Sequence, residues 1–158
     1  MAQEIERKFL LLNGQWRTEA RPGVYMSQGY MGDAKKASVR VRVEGDKANI
    51  NIKSATLGIS RTEYEYEIPL DDALEMLNQL CEKPLIEKTR YKVDVGEHTW
   101  EVDVFEGDNQ GLVVAEVELA SEEQSFVMPA WAGKEVSADP RYYNVCLVKH
   151  PYKDWDDR

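Results

Sequence analysis

Short runs of alternating charge give this chain groups whose type and spacing could do chemistry. Glu4, Glu6 and Lys8 stand two apart, as do Arg40 and Arg42, Lys88, Arg90 and Lys92, Glu101 and Asp103, and Glu116 and Glu118. Lys53 follows Asn49 and Asn51 at the same spacing. Residues two apart share one face of an extended strand. Each run therefore turns its charges to one side. Clustered carboxylates repel one another, and burial pushes them further toward protonation. A hard divalent cation such as Mg2+ or Mn2+ relieves that conflict through oxygen ligands. Arginine forks and lysine ammonium groups hold phosphate oxygens. If these faces converge, they offer metal-assisted phosphoryl transfer.

The elements that must position them are mainly strands. Period-two patterning predicts eight, over residues 3–10, 24–31, 37–44, 47–54, 60–68, 85–95, 98–106 and 112–120. Gly45-Asp46, Gly96-Glu97 and the segment from Gly107 to Gly111 read as hairpin turns, so the sheet is mostly antiparallel. Leu70, Ala73, Leu74, Leu77 and Leu80 form an apolar stripe that predicts a helix over 70–82. Ser121 with Gln124 resembles a capping box for a short second helix. Asp139-Pro140 predicts a third helix, from Pro140 to about Lys149. The tail around Trp155 is assigned to no element.

The strand faces opposite the charges are apolar: Ile5 and Phe9, Val39, Val41 and Val43, Trp100 and Val102, and Val113, Ala115 and Val117. Two arrangements satisfy this pattern. A half-solvated antiparallel sheet turns its charges to water. A closed barrel turns them into its lumen, with helices covering part of the apolar outer wall. Periodicity alone leaves both open.

Composition narrows the function classes. The 158 residues are 42% hydrophobic, which is consistent with one globular domain. A formal net charge of −9 argues against general binding to nucleic acid or to a membrane surface. It leaves room for a small anion in a local basic pocket. Cys81 and Cys146 form no CxxC motif, so neither a disulfide framework nor a zinc-thiolate site is expected, and the setting reads as cytoplasmic. Glu4 and Glu6 precede the short apolar run of the first strand, unlike a signal peptide. No apolar run approaches membrane-spanning length. Protein partners are left unassigned.

Glu4-x-Glu6-x-Lys8 near the N-terminus resembles the signature of the CYTH family, the triphosphate tunnel metalloenzymes. Further pieces follow in order: Gln28-Gly29-Tyr30, Val39-Arg40-Val41-Arg42, Ile52-Lys53, Arg61 to Pro69, Glu87-Lys88-Thr89-Arg90-Tyr91, Trp100 to Phe105, and Gly111 to Leu119. Gly133-Lys134-Glu135-Val136 and Arg141-Tyr142-x-Asn144 resemble its C-terminal block, with Ser137 where threonine is usual. The match is nearest to short bacterial single-domain members.

The resemblance implies one α+β domain over 1–158, an eight-stranded antiparallel closed β-barrel with a charged lumen and flanking helices. It implies Glu4, Glu6, Glu116 and Glu118 as metal ligands for Mg2+ or Mn2+. It implies Lys8, Arg40, Arg42, Lys53, Lys88, Arg90 and Lys134 as binders of a small-molecule triphosphate. Glu4, Glu6, Lys8, Lys53 and Glu118 are the expected catalytic group. The expected reaction is hydrolysis of inorganic tripolyphosphate to pyrophosphate and phosphate. Thiamine or nucleoside triphosphate hydrolysis, adenylate cyclisation and non-catalytic polyphosphate or nucleotide binding are the alternatives.

Overall fold

β-Branched and aromatic residues at alternate positions form strands that bury one face and turn charge to the other. The structure, a computed structural model, describes residues 3–56 and 58–157. Its strands are β1 (Gln3–Leu11), β2 (Val24–Met31), β3 (Ala37–Glu44), β4 (Lys47–Ser54), β5 (Ser60–Ile68), β6 (Ile86–Val95), β7 (His98–Phe105) and β8 (Val113–Glu118). They are ordered β5-β4-β3-β2-β6-β7-β8-β1. The ring then closes, because β1 pairs back onto β5 through Gln3↔Thr62, Glu4↔Arg61 and Ile5↔Ser60. All pairings among the described residues are antiparallel. Closure decides between the two sequence readings: the chain is an eight-stranded antiparallel barrel, and the charged strand faces line its interior.

A ninth strand, β9 (Ala132–Glu135), was not expected from the sequence. It continues the free edge of β1 beyond β5, pairing Phe9 with Glu135 and Leu11 with Ala132. At four residues it is too short to carry a period of its own.

The outer wall is covered in two places. Helix α1 (Leu70–Gln79) starts with Asp71 and Asp72, which suit the positive end of the helix dipole. It buries Ala73 and Leu77 against Val41 and Ala48 of β3 and β4. Leu74, on the same predicted stripe, stays 49% exposed. On the other side Trp16 and Trp131 cover Phe9, Val93, Trp100, Val102 and Val117. Among the described residues no helix is long and apolar enough to cross a membrane.

Two predicted helices are corrected. Residues 121–124 form a turn, in which Gln124 Oε1 accepts a hydrogen bond from the Ala120 amide at 2.6 Å. That polar stretch has no apolar face to hold a helix against the barrel. The expected 140–149 helix splits into a 3-10 turn, Pro140–Tyr142, and a four-residue helix, α2 (Asn144–Leu147). Asp139 caps the turn as expected, its Oδ1 accepting from the Arg141 amide at 3.0 Å. Tyr143 then turns extended, with φ −74° and ψ 132°, and interrupts the run.

The lumen itself changes character along its length. Ile86 shares a face with Lys88 and Arg90, Phe105 with Glu101 and Asp103, and Val114 with Glu116. At that end these residues pack with Tyr30 and with Tyr142, Leu147, Val148 and Trp155 from the C-terminal segment. Trp155 is 5% exposed, and its ring meets Tyr142 edge-on with centroids 5.0 Å apart. The tail is thus an apolar plug in one end of the barrel.

Candidate active site

Above that plug the strands enclose one polar cavity of about 480 Å³. Glu4, Glu6, Lys8, Arg40, Arg42, Lys53, Lys88, Arg90, Glu116 and Glu118 all line it. Lys134 does not: it is exposed on β9, which pairs with the Phe9–Leu11 part of β1 at the level of the plug. Its neighbour Ser137 lines the cavity instead, buried, with Oγ accepting from the Lys8 amide at 2.9 Å.

The bases gather around one acid. Asp103 Oδ2 is 2.8 Å from Lys88 Nζ, and its two oxygens accept from Arg90 Nε at 2.7 Å and from a terminal Arg90 nitrogen at 2.9 Å. Burial works against the Asp103 carboxylate, but Arg90 and Lys88 hold it far below the usual carboxylate range. Lys88 and Arg42 carry the opposite strain, whereas at Arg90 burial is outweighed by Asp103 and Glu101, which hold it up. Burial pushes Lys88 down to about 7 against the pull of Asp103, with Arg90 and Arg42 pushing the same way. Burial, with Arg40 and Arg90 nearby, lowers Arg42 to about 10. Arg40 Nε is buried with no hydrogen-bond partner. An orphaned donor among crowded cations fits an anion with several oxygens.

Carboxylates gather where β1, β8 and β7 lie side by side, next to β6 and its bases, with Glu101 3.3 Å from Arg90. Register places Glu6 opposite Glu118, and Glu116 opposite both Lys8 and Glu101. One carboxylate oxygen from each of Glu6, Glu101 and Glu116 lies within 4.8 Å of the others. Burial, Glu116 and Glu4 push Glu6 well above the carboxylate range. Burial works the same way on Glu116, but Lys8, 3.6 Å away, holds it low. The two neighbouring acids are thus driven in opposite directions, Glu6 up and Glu116 down. Three converging oxygen donors, crowded enough to raise one of them, fit a hard divalent ion.

This grouping differs from the ligand set expected from sequence. Glu101 joins Glu6 and Glu116, whereas Glu4 is paired with Lys53 at 2.9 Å and Glu118 is exposed at the rim. Burial raises Glu118 above the usual range, and Glu63 and Glu101 add to it. Asn51 donates to Glu63 at 2.9 Å and to Glu65 at 2.8 Å, which holds those two acids beside Lys53 and Arg40.

A CYTH domain match covers residues 2–144 of this chain. The chain belongs to the CYTH family. An inorganic triphosphatase of Acetivibrio thermocellus is 51% identical over 157 residues, spanning 99% of this chain and all of that one. An inorganic triphosphatase of Nitrosomonas europaea is 38% identical over 150 residues, 92% of this chain and 96% of its own. The crystal structure of the inorganic triphosphatase NE1496 superposes with a TM-score of 0.63 at 35% identity, covering 94% of this chain and 95% of that one.

Within this CYTH barrel, the C-terminal segment also brings groups to the cavity from outside the strands. Asn144 Oδ1, on α2, accepts from Lys88 Nζ at 2.9 Å and from Gln28 Nε2 at 3.3 Å. Gln28 is fully buried and in turn accepts from Arg42 Nε at 2.9 Å. Asn144 was legible as part of the C-terminal block, but nothing in its spacing tied it to Lys88. Tyr143, beside it, also lines the cavity, although the sequence offered it only as a residue presented by the expected 140–149 helix.

Proposed function

We propose that this CYTH chain hydrolyses inorganic tripolyphosphate to pyrophosphate and phosphate with a divalent cation, Mg2+ or Mn2+. One observation carries the reading: crowded buried bases and a cluster of metal-competent carboxylates line a single cavity side by side. Lys8, Arg40, Arg42, Lys53, Lys88 and Arg90 come from four strands, which suits a chain of phosphates better than a single one. Lys8, 3.6 Å from Glu116, and Lys53, 2.9 Å from Glu4, stand beside the acids and would hold the phosphoryl group that is transferred. Glu6, Glu101 and Glu116 would hold the cation. When bound, it supplies neutralisation of the charge that develops on the phosphoryl oxygens. Water adds to the terminal phosphorus, the bond to the bridging oxygen breaks, and pyrophosphate leaves. Glu4 and Glu118 flank the three-carboxylate cluster and are the acids available to take the proton of that water.

The names of the two relatives support the choice of the inorganic substrate, and so does a cavity lined mainly by charged and amide groups. Net charge keeps nucleic acid out of the reading, and the setting stays cytoplasmic. The test is phosphate release from tripolyphosphate, ATP and thiamine triphosphate, each with Mg2+, Mn2+ or EDTA. Release is expected to be fastest from tripolyphosphate and absent in EDTA. Undiminished turnover in EDTA, or none from tripolyphosphate with either metal, sinks the proposal.

A further inference from the structure

A second pocket of about 370 Å³ lies against the polar cavity, between the C-terminal segment and the connections β2–β3 and β4–β5. Its own walls are mostly apolar, with Ala34, Ala55, Pro140, Cys146 and Val148 among them. Tyr30, Ser38, Arg61, Tyr143 and Val145 line both spaces. The two are therefore neighbours across a thin wall.

Tyr143 is the most firmly held part of that wall. Its hydroxyl donates to the Ser137 carbonyl at 2.8 Å and accepts from the Gly58 amide at 3.3 Å. The Arg61 guanidinium lies 4.4 Å from its ring centroid, and Lys8 Nζ lies 5.7 Å away. The ring is buried, at 8% exposure. Contacts to β1, β5, the β4–β5 connection and the segment after β9 fix it in place. This also accounts for the extended backbone that breaks the predicted helix at this residue.

Resting on the functional reading above, we propose that the Tyr143 ring is the specificity-determining partition of this site. It confines the polar cavity to an inorganic chain of phosphates. Tripolyphosphate needs only charged and amide partners. A nucleoside triphosphate needs in addition an apolar slot for its base and ribose, placed next to the phosphate-binding bases. The second pocket is such a slot, and Tyr143 shuts it off. Exclusion built by steric blockage leaves the contacts to the favoured substrate intact.

The experiment compares kcat/KM for ATP and tripolyphosphate, with Mg2+, in four proteins. These are the unmodified chain, Tyr143→Phe, Tyr143→Ala, and Tyr143→Ala combined with Cys146→Phe to refill the pocket. Tyr143→Ala should raise the ATP-to-tripolyphosphate ratio about tenfold or more, mainly through KM for ATP, while Tyr143→Phe moves it by less than about twofold. The double variant should return the ratio toward that of the unmodified chain. Should Tyr143→Ala fail to fold, Tyr143→Leu, which is also too short to reach Ser137, is read in the same way. A folded variant with an unmoved ratio overturns the partition, as does an equal gain in Tyr143→Phe. Calorimetric titration of ATP and tripolyphosphate in EDTA reads the same ratio without turnover. A chain that binds both anions but hydrolyses neither thus fails the functional reading and still tests the wall.

Discussion

Lys88 Nζ lies 2.8 Å from Asp103 Oδ2, with 1% and 0% of the two side chains exposed. The same carboxylate also holds Arg90 through both of its oxygens. One buried carboxylate thus positions two phosphate-binding bases, with Glu101 3.3 Å from the other side of Arg90.

Asp103→Asn keeps the shape and removes that charge. Stripping the counter-ion from buried cations should cost about 3–5 kcal/mol of stability in urea unfolding. Saturating tripolyphosphate should recover part of the loss by binding only the folded chain. A midpoint equal to that of the unmodified chain, with or without ligand, would contradict this account of the base cluster.

Burial holds Lys88 at about 7, below the ordinary lysine range. Between that value and about 10.4 the unfolded chain binds a proton at this site that the folded chain lacks, so the Lys88 contribution to stability rises with pH across that window. A bound polyanion reverses the depression. Tripolyphosphate binding near pH 8 should therefore take up about one proton at Lys88, seen in calorimetry as a dependence on buffer ionisation enthalpy. Lys88→Met should remove the dependence. Proton-neutral binding by the unmodified chain would show that Lys88 is already charged at rest.

The carboxylate grouping predicts unequal effects on metal. Glu101→Gln should weaken Mn2+ binding by about ten- to a hundredfold, and Glu118→Gln by clearly less. Because burial and the neighbouring acids raise Glu6, Mn2+ binding there should be accompanied by proton release, and affinity should rise with pH. Glu6→Gln should abolish the release. Equal losses from Glu101→Gln and Glu118→Gln would return the ligand set to Glu4, Glu6, Glu116 and Glu118.

Lys134 gives the sharpest contrast between sequence motif and geometry. It stands outside the cavity, so Lys134→Ala should leave the tripolyphosphate KM within about twofold and stability within about 0.5 kcal/mol. Arg40→Ala removes a buried lumen cation and should raise KM at least tenfold, about 1.4 kcal/mol of binding. A Lys134→Ala effect as large as that of Arg40→Ala would put Lys134 in the site.

Much of this was legible along the chain, because strand periodicity is local. A charge two residues from another charge shares its face whatever the rest of the chain does, so Glu4, Glu6 and Lys8, or Lys88 and Arg90, were bound to point the same way. Turn residues such as Gly45-Asp46 joined neighbouring strands for the same local reason. What faces what is a different matter. Glu4 meets Arg61 only because β1 closes onto β5 across more than fifty residues, and that pairing turns a charged sheet face into a lumen. Glu101 joins Glu6 and Glu116 because three strands align in one register. Lys134 leaves the cavity because β9 extends β1 past the last lumen charge. Trp155 plugs the barrel, and Tyr143 interrupts a well-capped helix, because packing against distant strands outweighs local helical preference. Alternation within a strand follows from backbone geometry alone, whereas convergence between strands depends on long-range pairing, and only the folded chain decides that.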